Sequence, residues 1–288
     1  MRLLCLLAAL LLALPAAAAE LKLATWNIEW LTTRPTGDPA LPRDVQVKSR
    51  EDIALLRRYA EQLDADVVAF QEVDGEAAAR LVFPADRYAL HFTRDRVVQR
   101  TGFAVRRAIP FTANPDLAAL DLDPTAPHRL RSGADITLRV GTNLLRLLNV
   151  HLKTGCREDP LARSPRPQCD QLRRQLPVLQ GWIAERRRES AGFVLMGDFN
   201  RWMDGRDAKD GFSAALQSIA PLARATEGRS STCWGGGGFV DHILAGGPAR
   251  GWLVPDSLRV MVYRETGQAW KERLSDHCPV SARFRLPD

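Results

Sequence analysis

Past residue 20 the chain alternates short apolar runs with turn residues, and two stretches carry apolar positions at helical spacing. "LKLATWN" switches between apolar and polar positions as a strand does, while Ile53, Leu56, Tyr59, Ala60 and Leu63 in "SREDIALLRRYAEQLDAD" share one face of a helix. "DVVAFQE" is a continuous apolar run, suited to a strand buried on both faces, that closes on the polar pair Gln71-Glu72. Further strands are expected at "RYALHF", "TGFAVRR", "ADITLRV" and "LLRLLNVHL", the last two joined by "GTN" as a hairpin. A second helix is expected over "QCDQLRRQLPVLQGWIAERRRE", with Pro177 predicting a kink or a late start. "GFVLMGDFN", "GGFVDHILAG" and "CPVSARFRL" are again apolar strands flanked by polar residues. Hairpins interspersed with helices argue for an α/β (α+β) fold and against a doubly wound parallel sheet. Neither a repeat nor a break in composition follows residue 20, so residues 20–288 are expected to form one domain.

The first 19 residues read differently. Arg2, the apolar run Leu3 to Leu14, Pro15 and the Ala17-x-Ala19 pattern make a signal peptide, too short for a comfortable transmembrane span. The expected product starts near Glu20 and is secreted or periplasmic, without a transmembrane anchor. Cys5 lies too far from the cleavage region to look like a lipid-anchored cysteine. Cleavage removes one of 40 Lys+Arg and none of 34 Asp+Glu, lowering the net charge from +6 to +5. That excess suits an anionic substrate without identifying one. Four cysteines remain, an even number for an oxidising compartment. Cys156 and Cys169 flank the loop "CREDPLARSPRPQC" and are the first choice for a bridge. Cys233 with Cys278 is the alternative to two buried thiols.

Polar clusters recur at strand ends, where sites are assembled from distant pieces of chain. In order they are "WNIEW", "QEV", "NVHLKTG", "GDFN", "VDHIL" and "SDHCP". This set resembles the endonuclease/exonuclease/phosphatase superfamily, whose members share the deoxyribonuclease-I-like fold. The resemblance implies a four-layer sandwich of two packed mixed β-sheets flanked by helices, and metal-dependent hydrolysis of phosphoesters. It assigns Glu72, with Asn27 and Asp276, to a hard cation such as Mg²⁺, or Mn²⁺ or Ca²⁺ in its place. It gives His277 the role of proton acceptor or charge stabiliser, oriented by Asp241. Asp198 orients or deprotonates the attacking water, Asn200 holds a phosphate oxygen, and His151 donates to the scissile phosphate or assists the leaving oxygen. The orienting partner of His151 is open, Asp95 being the nearest candidate.

Alternation along a strand would turn Asp276 and His277 to opposite faces, which sends Asp276 to the metal and His277 to Asp241. His242, His91 and His128 are read as structural. Arg94, Arg96 and Arg100 either meet substrate phosphates or form a solvated loop, with Arg100 kept as a substrate-binding candidate. The glycine run in "STCWGGGGFVDHIL" lacks the ending of a phosphate-binding P-loop and is read as a flexible turn that brings Trp234 near the site mouth. The expected activity is that of a monomeric phosphodiesterase, with nucleic acid the leading substrate. A phospholipid (sphingomyelinase-like) or sugar phosphate at the same site, and a non-catalytic binder of the same fold, are the alternatives. A zinc hydrolase is disfavoured because His-x-His, His-Glu-x-x-His and clustered cysteine ligands are missing.

Overall fold

Strands whose side chains are apolar on both faces must be covered on both, and the chain meets this demand by stacking two sheets between helices. The computed structural model describes residues 19–203 and 211–287, so the expected signal peptide lies outside the described residues apart from Ala19. In chain order the elements are β1 (Glu20–Leu31), α1 (Arg50–Leu63), β2 (Val67–Val73), α2 (Glu76–Val82), β3 (Tyr88–Phe92), β4 (Arg100–Arg106), β5 (Phe111–Ala113) and β6 (Ala134–Val140). There follow β7 (Asn143–His151), α3 (Pro167–Arg188), β8 (Gly192–Asp198), α4 (Phe212–Gln217), β9 (Leu222–Arg224), β10 (Asp241–Gly246), β11 (Arg259–Val260), α5 (Gln268–Arg273) and β12 (Val280–Arg285). One sheet has the order β11-β12-β1-β2-β4-β3 and the other β5-β6-β7-β8-β10-β9. Both are mixed: β1–β2 and β7–β8 run parallel, and the remaining pairs run antiparallel.

The alternation of each strand decides which layer a side chain joins. Leu21 and Leu23 of β1, Val67 and Ala69 of β2, Leu145 and Leu147 of β7, Val194 and Met196 of β8, and Ile243 and Ala245 of β10 fill the layer between the sheets. Their strand neighbours point outward. Trp26, Ile28 and Phe70 meet α1 and α2, while Leu148, Val150, Phe193 and Leu195 meet α3 and α4. This is the four-layer, deoxyribonuclease-I-like sandwich.

Local signals set the helix ends. Ser49 caps α1, its hydroxyl accepting from the Asp52 N–H at 3.1 Å while the Asp52 carboxylate accepts from the Ser49 N–H at 3.0 Å. In α3 the expected late start does not occur: Pro167 occupies the first turn, where its missing N–H costs nothing, and the helix continues through Pro177. Pro177 lies on the exposed side, and the packing of Leu172, Leu179, Trp182 and Ile183 holds the helix across it. Among the described residues no helix is long and apolar enough to cross a membrane.

Candidate active site

Followed upward, the inward-facing stripes of β1, β2, β7, β8 and β10 turn polar at the same end. Thr25 and Asn27 follow Leu23, Gln71 follows Ala69, Asn149 and His151 follow Leu147, Asp198 follows Met196, and Asp241 precedes Ile243. The first polar tier is a hydrogen-bonded floor. The Gln71 amide donates to Thr25 Oγ1 (3.2 Å) and Asn149 Oδ1 (2.6 Å), and the Asn149 amide donates to the carbonyls of Phe70 (2.8 Å) and Gly102 (2.7 Å). With its groups mutually satisfied, this floor fixes the tier above it.

Backbone irregularities aim that upper tier. The β1–β2 register shifts between Asn27 and Leu31, the β2–β4 register shifts between Phe70 and Val73, and Glu72 adopts φ 60°. A carboxylate residue held in the left-handed region at a bulge is strained unless its surroundings over-determine it. Here the Asn27 Nδ2 donates to Glu72 Oε1 at 3.0 Å and the Trp30 N–H to Oε2 at 3.3 Å. Gly197, paired with Val150 at φ 138°, allows a close backbone approach: a Cβ there would lie 2.1 Å from the Val150 carbonyl oxygen. That contact brings His151 and Asp198 side by side on neighbouring strands.

Asp198 is the hub. Its Oδ1 accepts from the Asn200 N–H (2.8 Å), and its Oδ2 accepts from Asn200 Nδ2 (3.0 Å) and Asn27 Nδ2 (3.2 Å). The same Oδ2 lies 3.5 Å from His151 Nε2 and 3.8 Å from His277 Nε2. Glu72 Oε1 is 3.6 Å from His151 Nε2. His277 Nδ1 meets Asp241 Oδ2 at 2.7 Å. Burial, reinforced by Asp241, pushes the Asp198 carboxyl up to about 7, against the pull of His277 and its hydrogen bonds. Burial opposes the charge on His277, but Asp241 and Asp198 outweigh it and hold its value well above that of a free imidazole. His151 goes the other way: burial, then the Arg131 guanidinium, push it well below the usual range.

The Asp241–His277 edge of the cluster, with Asp276, borders a cleft of about 200 Å³ walled by Arg157, Trp202, Trp234, Phe239 and Lys271. Arg157 stacks over Trp202 at 5.9 Å, and the Trp234 Nε1 donates to the Ser275 carbonyl at 2.9 Å.

A sequence profile of the Endonuclease/Exonuclease/phosphatase family matches residues 24–277, from β1 to the paired histidine. The chain belongs to this family. TDP2 from C. elegans superposes with a TM-score of 0.60 at 16% identity, over 96% of this chain and 78% of that one. TDP2 from D. rerio, crystallised with a single strand DNA product, gives 0.60 at 16% over 92% and 99%. The 3'-5' exonuclease NExo from Neisseria meningitidis gives 0.58 at 18% over 92% and 100%. At such identities the likeness establishes the fold. No curated protein sequence matches the chain.

Several sequence expectations change in this frame. Residues 274–279 form an irregular segment before β12, so strand alternation does not separate Asp276 from His277. Asp276 Oδ1 lies 3.7 Å from His277 Nε2, its carboxylate is 47% exposed, and its N–H is held by Glu29 Oε2 at 2.9 Å. Asp95 is not the partner of His151: its two oxygens are taken by the N–H and hydroxyl of Ser132, and His151 Nδ1 has no partner among the described residues. Asn27 gives its amide oxygen to the Glu29 N–H (2.9 Å), and so bridges Glu72 and Asp198 through its nitrogen instead of presenting an oxygen. Asn200 likewise spends its amide on Leu152 O and Asp198. Arg100 lies over Phe92 and against Gly75, with no ion pair to the cluster; Arg94 and Arg96 are exposed. His242 is structural, bridging Thr226 Oγ1 and the Arg201 carbonyl. The bridges Cys156–Cys169 and Cys233–Cys278 are both present.

Three residues at the cluster escaped sequence reasoning. Arg131 is buried behind His151, with one hydrogen bond to Leu152 O at 3.3 Å and an unpartnered Nε. Lys48 is buried near Glu29 and Glu72. Glu29, raised to about 7 by burial and then by Asp276, adds a further carboxylate. Glu29 sits inside "WNIEW", two residues beyond Asn27, and that position was its available signal. Arg131 and Lys48 lie in coil without a periodic pattern.

The donor chemistry fits a hard divalent cation. The carboxylates of Glu29, Glu72, Asp198 and Asp276 gather at one end of the layer, and the Nε2 atoms of His151 and His277 face the Asp198 carboxylate there. Oxygen donors in such number suit Mg²⁺, Mn²⁺ or Ca²⁺ and not a thiolate-seeking metal.

Proposed function

We propose that the protein is a secreted, metal-dependent phosphodiesterase that cleaves nucleic acid, with residues 20–288 as its catalytic domain. The observation that carries the reading is the Asp198 carboxylate set between two imidazole Nε2 atoms of opposite charge preference. A buried carboxylate near 7 is matched to taking a proton from water at neutral pH. His277, kept protonated by Asp241, offers an N–H to the charge that grows on a phosphorane oxygen. Neutral His151, with Arg131 behind it, offers a second donor toward the scissile group. Glu72, with Glu29 and Asp276, would hold the cation, and Asn27 and Asn200 keep Glu72 and Asp198 in place. When bound, such a cation polarises the phosphoryl group and offsets its negative charge.

A nucleic-acid substrate is favoured by the cations and aromatic rings of the cleft, Arg157 and Lys271 beside Trp202 and Trp234, which suit phosphates and bases respectively. The single strand DNA product bound by the D. rerio neighbour supports the same choice. Two disulfides suit an oxidising destination. The test is a panel of plasmid DNA, single-stranded DNA, RNA, sphingomyelin and bis(p-nitrophenyl) phosphate, each with Mg²⁺, with Mn²⁺ and with EDTA. Metal-dependent cleavage of DNA or RNA is expected. Cleavage of sphingomyelin alone would reassign the substrate, and no cleavage of any phosphoester would end the enzyme reading.

A further inference from the structure

His277 sits in an irregular stretch between α5 and β12, and its partner Asp241 follows a run of four glycines, three of them at positive φ. On its approach Asp241 is preceded by a single 3-10 turn at Cys233–Gly235 and one bridge between Ser231 and Gly237, and His277 has no helix or strand on its own stretch. The Cys233–Cys278 bond joins these two approaches. Cys278 follows His277 directly, and Cys233 begins the segment that leads through Trp234 and the glycines to Asp241. Residues 233–241, the 2.7 Å contact between Asp241 Oδ2 and His277 Nδ1, residues 277–278 and the disulfide thus close one ring. The lashings that supplement it are hydrogen bonds: Trp234 Nε1 to Ser275 O (2.9 Å), Tyr263 Oη to His277 O (2.9 Å) and the His277 N–H to Ser275 Oγ (3.0 Å).

We infer that Cys233 and Cys278 are positioning residues, and that their disulfide sets the place of the His277 imidazole against Asp241 and Asp198, so that the site is fully organised only in the oxidised protein. The kinetic consequence rests on the phosphodiesterase reading above; the geometric one does not. Loss of the bond leaves the glycine-bearing side held only by hydrogen bonds, among them the Ser231–Gly237 pair (2.8 and 3.1 Å) and the Phe199 N–H to the Val240 carbonyl (2.9 Å), and removes the one covalent tie between that side and His277. A misplacement of about 1 Å in a catalytic constellation costs about 10²-fold in rate. The bond borders the cleft, and a small dithiol would reach it at the half-buried Cys233, because Cys278 is only 2% exposed. Such a reagent delivers two electrons and two protons, becomes a cyclic disulfide itself, and leaves two thiols.

The test compares the oxidised protein, the dithiol-treated protein and C233S/C278S, with C156S/C169S to separate the effects of the two bridges under reduction. Each is first shown to be folded by near-ultraviolet circular dichroism. In C233S/C278S and in the reduced protein, kcat is expected to fall about 10²-fold with KM nearly constant. Re-oxidation should restore the reduced protein, and the double variant should be indifferent to dithiol. A purely structural bridge would lower the melting temperature and leave kcat of the folded fraction unchanged, which overturns the inference. The activity-independent arm is the ring N–H proton of His277, assigned with H277A by NMR. A slowly exchanging, downfield proton bonded to Asp241 is expected in the oxidised form and should be lost on reduction; its persistence would also overturn the inference. An oxidised protein inactive on every phosphoester, but with this proton responding to reduction, would sink the proposed activity and leave the positioning intact.

Discussion

The two halves of the site hold the same residue type in opposite states. On one side His277 has a carboxylate behind its Nδ1 and another in front of its Nε2. On the other, His151 has an unpartnered Nδ1 and a buried guanidinium close by. Both rings are largely buried, so burial pushes both toward neutrality, and the difference lies in what stands behind each one. A paired acid overrides burial and an adjacent cation reinforces it. One carboxylate oxygen, Asp198 Oδ2, then faces a charged donor and a neutral one, an asymmetry that separates proton-holding from neutral hydrogen-bond donation.

Breaking the charged half should have the largest effect. H277A is expected to lower kcat by about 10²–10³-fold, the range for a lost donor to charge that grows in the transition state. D241N should act through His277, so D241N/H277A should be little worse than H277A alone. Near-normal turnover in H277A would remove His277 from the site, and an additive double variant would give Asp241 a separate role.

The cation should come next. Saturating Mg²⁺ or Mn²⁺ at ~100 times Kd should stabilise the folded protein by ~2.7 kcal/mol, read as a rise in melting temperature. In E72Q that rise should disappear and activity should need much higher metal concentrations. If E72Q keeps the full metal-induced rise, the cation lies elsewhere.

The neutral half is then tested with R131M, which removes the guanidinium and leaves His151 in place. We expect kcat/KM to fall about 10–100-fold, the equivalent of a lost charged hydrogen bond of ~1.5–3 kcal/mol. The His151 imidazole should also titrate higher than in the wild type, because one of the influences that depress it is gone. An unchanged His151 titration by NMR would mean that burial alone sets its state.

The two halves also differ in how much of them a reader of the sequence could see. His151, Asp198, Asp241 and His277 stand where an apolar strand breaks into polar residues, so a period of two and a strand end mark them. The pattern of apolar runs and hairpins carried the strands and the α/β (α+β) class, while the two-sheet sandwich was legible only through the family resemblance. Arg131 and Lys48 stand in coil, where no period distinguishes a buried cation from a solvated one. The separation of Asp276 from His277 failed because alternation presupposes a strand, and residues 274–279 are not one. The Cys233–Cys278 bridge depends on the fold bringing the β10 approach to the β12 approach, a proximity no local pattern records.

The smallest expected effect is on stability without metal, and its sign follows from the raised carboxyls. The Asp198 value in the folded protein, about 7, lies above its ordinary value of 3.8, so the folded form binds this proton more tightly than the unfolded chain. The stabilisation it provides is fully present below about 4 and is lost as pH rises through about 7. Glu29, also raised to about 7, acts in the same direction. His277 is raised above 6.5, so its contribution is fully present below 6.5 and is lost as pH rises from there through its higher folded value. Between pH 4 and 7 the carboxyls therefore govern this region, and the metal-free protein should lose stability across that window, at up to about 1.4 kcal/mol per pH unit for one fully linked group. D198N, which cannot ionise, should show a shallower decline, and Mg²⁺ should flatten the wild-type curve by favouring the ionised carboxylates. Chemical denaturation in EDTA at several pH values measures the slopes. Parallel slopes for wild type and D198N would mean that Asp198 ionises at its ordinary value and faces the protonated His277 as a full carboxylate across this pH range.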